Sequence, residues 1–158
     1  MKYRIFEFAG QGYVESGSYG MYYNLNDGTG IKITHSEINI HTASHTRVEL
    51  EFENQKLAYE LLGDKTPKPI EIVIAKLNDG TYHEAIIMEH IDGKRICDIA
   101  PYDYEQHREM LKALDELMAS VGIYKFDSGS HNTLLTVNGE YIVIDWGGSG
   151  NRFEKKVG

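Results

Sequence analysis

Sulfur chemistry is nearly absent from this chain: Cys97 is the only cysteine among 158 residues. One thiol excludes an internal disulfide and any cysteine-based metal cluster. Proline is scarce as well, with three residues at positions 67, 69 and 101, all in stretches that read as connections. No run approaches the roughly 18 apolar residues of a membrane-spanning helix. The opening MKYRIFEFAG also lacks the apolar stretch of a secretory leader, so the expectation is a cytoplasmic chain without membrane association. Positive charge is in deficit, 16 Lys and Arg against 24 Asp and Glu, a net charge of −8. That balance disfavours nonspecific binding to a phosphate backbone, and no nucleic-acid partner is expected. It still permits a nucleotide held by one local lysine and a metal ion.

What is present is ordinary for a folded domain: 41% hydrophobic and 25% charged residues. The length suits one domain with a substantial core. Three turn signals, Asn26-Asp27-Gly28, Asn78-Asp79-Gly80 and Asn138-Gly139, each lie between β-type runs and predict three hairpins. A first helix is predicted over residues 47–62, with Thr46 and Glu49 in capping-box spacing and Gly63 at its end. Its expected inner stripe is Leu50, Leu57, Ala58 and Leu61. A second is predicted over 102–121, with Pro101 in its first turn and Gly122 beyond it. Met110, Leu114, Leu117, Met118 and Val121 form its expected stripe. The order of strands, helix, two strands, helix and final hairpin predicts an α+β fold.

Two segments carry candidate chemistry. Near the start, Gly17 and Gly20 flank a turn with Ser18, and Lys32 follows on a later strand. Glycine-bearing loops let backbone N–H groups approach phosphate oxygens, and a neighbouring lysine adds a point charge. Glu53 shares the expected inner face of the first helix and is the expected partner of Lys32, with Glu49 as the fallback and Glu51 on another side. Near the end, YKFDSGSHNTLLTVNGEYIVIDWGG holds Asp127, Asn132 and Asp145. Pairing across Asn138-Gly139 would bring positions 132 and 145 to one end of a hairpin. Oxygen ligands gathered there suit Mg²⁺, and Asp127 could accept or orient the proton of an attacking hydroxyl.

Asp127 with Asn132 five residues later, then Asp145-Trp146-Gly147, resembles the catalytic loop and metal-binding triplet of the protein-kinase-like phosphotransferases. Ser16-Gly17-Ser18-Tyr19-Gly20 is similar to that family's phosphate-covering loop, Ile31-Lys32 to its strand lysine and Glu53 to the lysine's helix partner. Met88-Glu89-His90-Ile91-Asp92-Gly93 resembles the hinge whose backbone receives adenine, here at Glu89 and Ile91. The resemblance implies a minimal kinase-like fold: a β-rich N-lobe with one helix over 1–88, a hinge over 89–96, and a reduced C-lobe over 97–158. It implies ATP and Mg²⁺ as cofactors, Asp127 as catalytic base, Asn132 and Asp145 as metal ligands, and a protein hydroxyl as acceptor. The triplet ending is closer to small atypical kinases and antibiotic phosphotransferases than to regulated kinases. Glu15 stands at the first glycine position of the loop, and Lys125 replaces the histidine two residues before Asp127. Only 11 residues follow the triplet, so a shortened large lobe and a homodimer covering its apolar surface are expected. Two rival readings are a small-molecule kinase and a non-catalytic pseudokinase that binds nucleotide or a partner protein. His41 and His45, beside His35, lie four apart, a spacing compatible with zinc on a helix, yet no third ligand is evident and they read as surface groups.

Overall fold

Each of the three Asn/Asp-Gly signals closes a hairpin in the computed structural model, which describes residues 2–9, 13–16, 20–99, 104–125, 128–148 and 150–154, with backbone alone at 13–16 and 104. The turns work because their residues accept positive φ: Asn26 at 60°, Gly28 at 89°, Gly80 at 82° and Gly139 at 81°. Asp27 and Asp79 reinforce the first two, each accepting from the backbone N–H and hydroxyl of the threonine two residues on.

The described strands are β1 (Ile5–Glu7), β2 (Tyr13–Ser16), β3 (Gly20–Asn24), β4 (Thr29–Ile38), β5 (Pro69–Lys76), β6 (Tyr82–Glu89), β7 (Gly93–Arg95), β8 (Ile123–Tyr124), β9 (Thr133–Thr136), β10 (Tyr141–Val143) and β11 (Arg152–Phe153). The helices are α1 (Thr46–Leu62) and α2 (Tyr104–Ser120). The fold is α+β, as expected. The chain divides into two units, Met1–Glu53 with Lys68–His90, and Asn54–Pro67 with Ile91–Gly158. Residues 54–67, assigned from the sequence to an N-lobe over 1–88, thus group with the C-terminal unit.

The first unit is a six-stranded mixed sheet in the order β1-β5-β6-β4-β3-β2, parallel only between β1 and β5. Alternation along the strands sorts its side chains. Ile31, Ile33, Val73, Ala75, Ala85 and Ile87 bury one face under Phe8 and Tyr23. Ile86 and Met88 on the opposite face pack with Val48, Tyr22, Phe52 and Ile72. Fully burying one such aliphatic chain stabilises the fold by about 1.5–3 kcal/mol.

In the second unit, β10, β9 and β7 form a three-stranded sheet and β11 pairs with β8. Its core gathers Ala58 and Leu62 from α1, Leu114 and Met118 from α2, and Ile123, Val143 and Trp146. Gly122, at φ 84°, ends the α2 connection where Glu154 donates its N–H to the Gly122 carbonyl at 2.7 Å. A Cβ there would lie 2.2 Å from the Glu154 carbonyl oxygen, so only glycine fits.

The phase of α1 differs from the predicted one. Its inward residues are Val48, Asn54, Gln55, Ala58 and Leu62, while Leu50, Leu57 and Leu61 are 52%, 40% and 44% exposed. Apolar residues occupy two faces of this helix, the Leu50, Leu57, Leu61 stripe and the Val48, Ala58, Leu62 stripe, so hydrophobicity alone does not select one. The polar pair turns inward because it finds acceptors: Gln55 Nε2 donates to the Pro67 carbonyl at 2.8 Å and Asn54 Nδ2 to the Trp146 carbonyl at 3.3 Å. The expected capping box does not form, because the Glu49 carboxylate instead accepts from the Tyr3 hydroxyl and Lys2 ammonium. In α2, Leu114 and Met118 are buried as expected, joined by His107 and Leu111, whereas Met110 and Leu117 face outward. No helix among the described residues is long and apolar enough to cross a membrane.

Candidate functional site

In the first unit, β4 carries Lys32 toward the side of the sheet covered by α1. Lys32 Nζ lies 2.5 Å from Glu51 Oε1, with the two side chains only 16% and 11% exposed. Glu51, Gln55 and Ala58 follow Val48 at three, seven and ten residues and share the inward face of α1. The α1 carboxylate that meets Lys32 is therefore Glu51, and the assignment to Glu53, an exposed residue, is corrected. The cause is the rotated helix phase: taking Leu50, Leu57 and Leu61 as the core aimed Glu53 inward and Glu51 away.

Gly20 begins β3 and sits against the lysine-bearing strand. A Cβ on Gly20 would lie 2.7 Å from the Ile33 carbonyl oxygen and 3.5 Å from Lys32 Cε. Its requirement for glycine is the close approach of two strands beside the Lys32 stem. Gly17 and Ser18 lie outside the described residues, so the phosphate-covering loop has no structural description.

Gly30, two residues before Lys32, has a second device above it. Tyr22 crosses it so closely that a Cβ on Gly30 would overlap the phenol oxygen. The same hydroxyl is 2.8 Å from His90 Nδ1, and the two rings stack with centroids 5.8 Å apart. At the end of β6, the Glu89 N–H donates to the Lys68 carbonyl at 2.9 Å, and the His90 N–H donates to the Gly28 carbonyl at 3.0 Å. Ile91 begins the C-terminal segment of the second unit.

In the second unit, the β9–β10 hairpin brings the two proposed metal ligands to one end. Val143 pairs with Thr133, and the Ile144 N–H then donates to the Asn132 carbonyl at 3.0 Å. Asn132 is 7% exposed, and its loop is held by bonds from the Asn132 N–H to the Gly129 carbonyl and from the Cys97 N–H to the Ser130 carbonyl, each 3.1 Å. Asp145 has φ 65°, left-handed and unusual for a residue with a side chain. Its Oδ1 accepts the Gly147 N–H at 3.3 Å, the local bond that makes aspartate tolerable there.

Trp146 anchors the triplet. It is fully buried, and its indole N–H donates to Thr66 Oγ1 at 2.9 Å, while that hydroxyl donates to the Val143 carbonyl at 2.8 Å. Asn151 Nδ2 reaches the Trp146 carbonyl at 3.0 Å and the Gly147 carbonyl at 3.3 Å. Lys125 Nζ sits 5.4 Å from the centroid of the Trp146 ring. Sequence reasoning missed Thr66, Asn54 and Asn151 altogether. They carry no motif; burial of a polar side chain betrays Asn54 and Thr66, and only its bonds to backbone carbonyls betray Asn151.

Asp127 lies outside the described residues. Among the described residues no three His, Cys, Asp or Glu side chains gather as a metal cluster. An amide-plus-carboxylate pair is the smaller donor set that suits Mg²⁺, which keeps several waters and takes phosphate oxygens. Cys97 is no candidate nucleophile: partial burial, with Asp98 nearby, holds its thiol above the ordinary value. Comparison of the chain with protein-family models and with curated proteins gave no match.

Proposed function

We propose that the protein binds ATP with Mg²⁺ and transfers the γ-phosphoryl group to a hydroxyl on a protein. The observation that carries this reading is the meeting of Asn132 and Asp145 at one end of the β9–β10 hairpin, with the Asp145 backbone fixed in a left-handed turn. A second support is the half-buried lysine of the first unit, held by a helix carboxylate. Asn132 and Asp145 would hold the metal through hard oxygen donors. Bound there, Mg²⁺ supplies neutralising charge to the phosphate oxygens. Lys32, oriented by Glu51, would add a second positive charge at the phosphates. Asp127 would accept or orient the proton of the attacking hydroxyl. Transfer of this kind rests on positioning and charge stabilisation.

The test uses nucleotide binding and labelled-phosphoryl transfer together. MgATP at about 100 times its dissociation constant stabilises by about 2.7 kcal/mol, a rise of roughly 5–10 °C for a chain of this size. Lys32→Met and Asp145→Ala, one in each unit, are expected to abolish the rise. Label from γ-labelled ATP is expected on protein with the wild type and not with Asp127→Ala. Absence of any thermal shift with saturating MgATP would remove the catalytic reading.

One observation favours a second reading, a non-catalytic protein. Tyr22 covers Gly30 and is tied to His90, so its ring occupies the strand surface two residues from Lys32. On that reading the wild type shows no nucleotide-dependent shift, whereas Tyr22→Ala, with the ring removed, acquires one.

A further inference from the structure

The second unit contains a cavity of about 460 Å³ that includes none of the residues assigned to nucleotide or metal. Met118 and Ile123 give it an apolar floor, and the Tyr124 ring, 40% exposed, gives it an aromatic wall. Lys125 and Arg152 place two cations on its lining, against one carboxylate, Asp115.

Arg152 is the most informative group. Its guanidinium lies 5.7 Å from the Tyr124 ring centroid, and among the described residues no carboxylate pairs with it. A guanidinium held over a ring face by cation–π attraction still has N–H donors to offer a planar or tetrahedral anion. The pairing of β11 with β8 fixes this arrangement, because Arg152 is the direct cross-strand partner of Tyr124. The methionine sulfur and the tyrosine face both favour a flat, polarisable ligand body over a branched one.

The size agrees. Small-molecule pockets span roughly 300–1,000 Å³, and this open cleft falls within that range. The space here thus takes a fused or substituted aromatic ring and a charged group together. We infer that this cavity is a binding site for a small aromatic anion, its carboxylate or phosphate held by Arg152 and Lys125 and its ring lying over Ile123, Met118 and Tyr124.

The probe is 1-naphthyl phosphate, titrated calorimetrically, with inorganic phosphate and 1-naphthol as its separated halves. The whole probe is expected to bind at least about tenfold more tightly than either half. Arg152→Gln is expected to weaken it about tenfold or more, and Arg152→Lys by less. Ala119→Trp, a substitution on the exposed lining of α2, is expected to abolish binding by filling the space. MgATP titrated into Arg152→Gln is expected to match the wild type, and naphthyl phosphate titrated into Asp145→Ala likewise. Failure of the nucleotide reading and failure of this one are thereby separate results. Inorganic phosphate binding as tightly as the whole probe would overturn the inference. So would full affinity in both Arg152→Gln and Ala119→Trp.

Discussion

Replacing Glu51 tests the helix phase and the lysine partner in one measurement. The Lys32–Glu51 pair is 2.5 Å long with side chains 16% and 11% exposed, nearer a buried pair than a surface one. Removing one partner of a fully buried pair costs about 3–5 kcal/mol, whereas exposed pairs contribute about 0–1 kcal/mol. Glu51→Leu should therefore destabilise by about 2–4 kcal/mol. For a chain of this length each kcal/mol moves the midpoint by about 2–4 °C, so ~3 kcal/mol lowers it by roughly 6–12 °C. Glu51→Gln keeps an acceptor oxygen and should fall at the lower end. Glu53→Leu, on the exposed side, should stay within about 0.5 kcal/mol of wild type. Lys32→Met combined with Glu51→Leu should recover most of the loss, since an ion pair replaced by apolar groups of similar volume is often neutral. Thermal unfolding followed by far-ultraviolet circular dichroism reads all four variants. A Glu51→Leu midpoint equal to wild type, or a Glu53→Leu midpoint as low as that expected for Glu51→Leu, would refute the reasoning.

Three further outcomes follow from the same geometry. Thr66→Val removes the acceptor of the Trp146 indole and the donor to the Val143 carbonyl, so it should cost about 2 kcal/mol, read by urea denaturation and by a change in the emission of the chain's single tryptophan. Leu57→Lys with Leu61→Lys should change stability by no more than about 0.5 kcal/mol each, because both leucines are outward on α1, whereas Ala58→Asp should unfold the second unit's core. On acidification, Asp27, Asp79, Glu49 and Glu71 act with one sign. Their carboxyls are held below the ordinary 3.8 and 4.5 chiefly by hydrogen bonds from Thr29, Thr81, Tyr3 and Arg4 respectively. A lowered folded pKa gives stability that is present above the unfolded value and lost as pH falls through the folded one. The unfolding midpoint should accordingly decline below about pH 4.5, and Asp79→Asn should flatten that decline.

The parts of the molecule that local chemistry decides were legible. Gly28, Gly80 and Gly139 mark hairpins because few other residues accept their φ, and Gly63 and Gly122 mark helix ends for the same reason. The meeting of positions 132 and 145 followed from counting outward along one hairpin. Illegible features depend on distant partners. β1 pairs in parallel with β5, a strand some 70 residues away, and nothing in Ile5-Phe6-Glu7 specifies that neighbour. The face of α1 was misread because Asn54 and Gln55 displace leucines from the interior, and their reason lies in the carbonyls of Trp146 and Pro67. That error alone moved the lysine's partner from Glu51 to Glu53.

The moorings of Trp146 have a consequence for control. Turning the backbone at residues 145–147 would strand the indole N–H, the Thr66 hydroxyl and the two carbonyls that Asn151 engages, several buried groups at once. The carboxylate of Asp145 is thus welded in place rather than mounted on a pivot. On the catalytic reading, a conformational change that serves the reaction leaves that corner still and works through other parts of the chain.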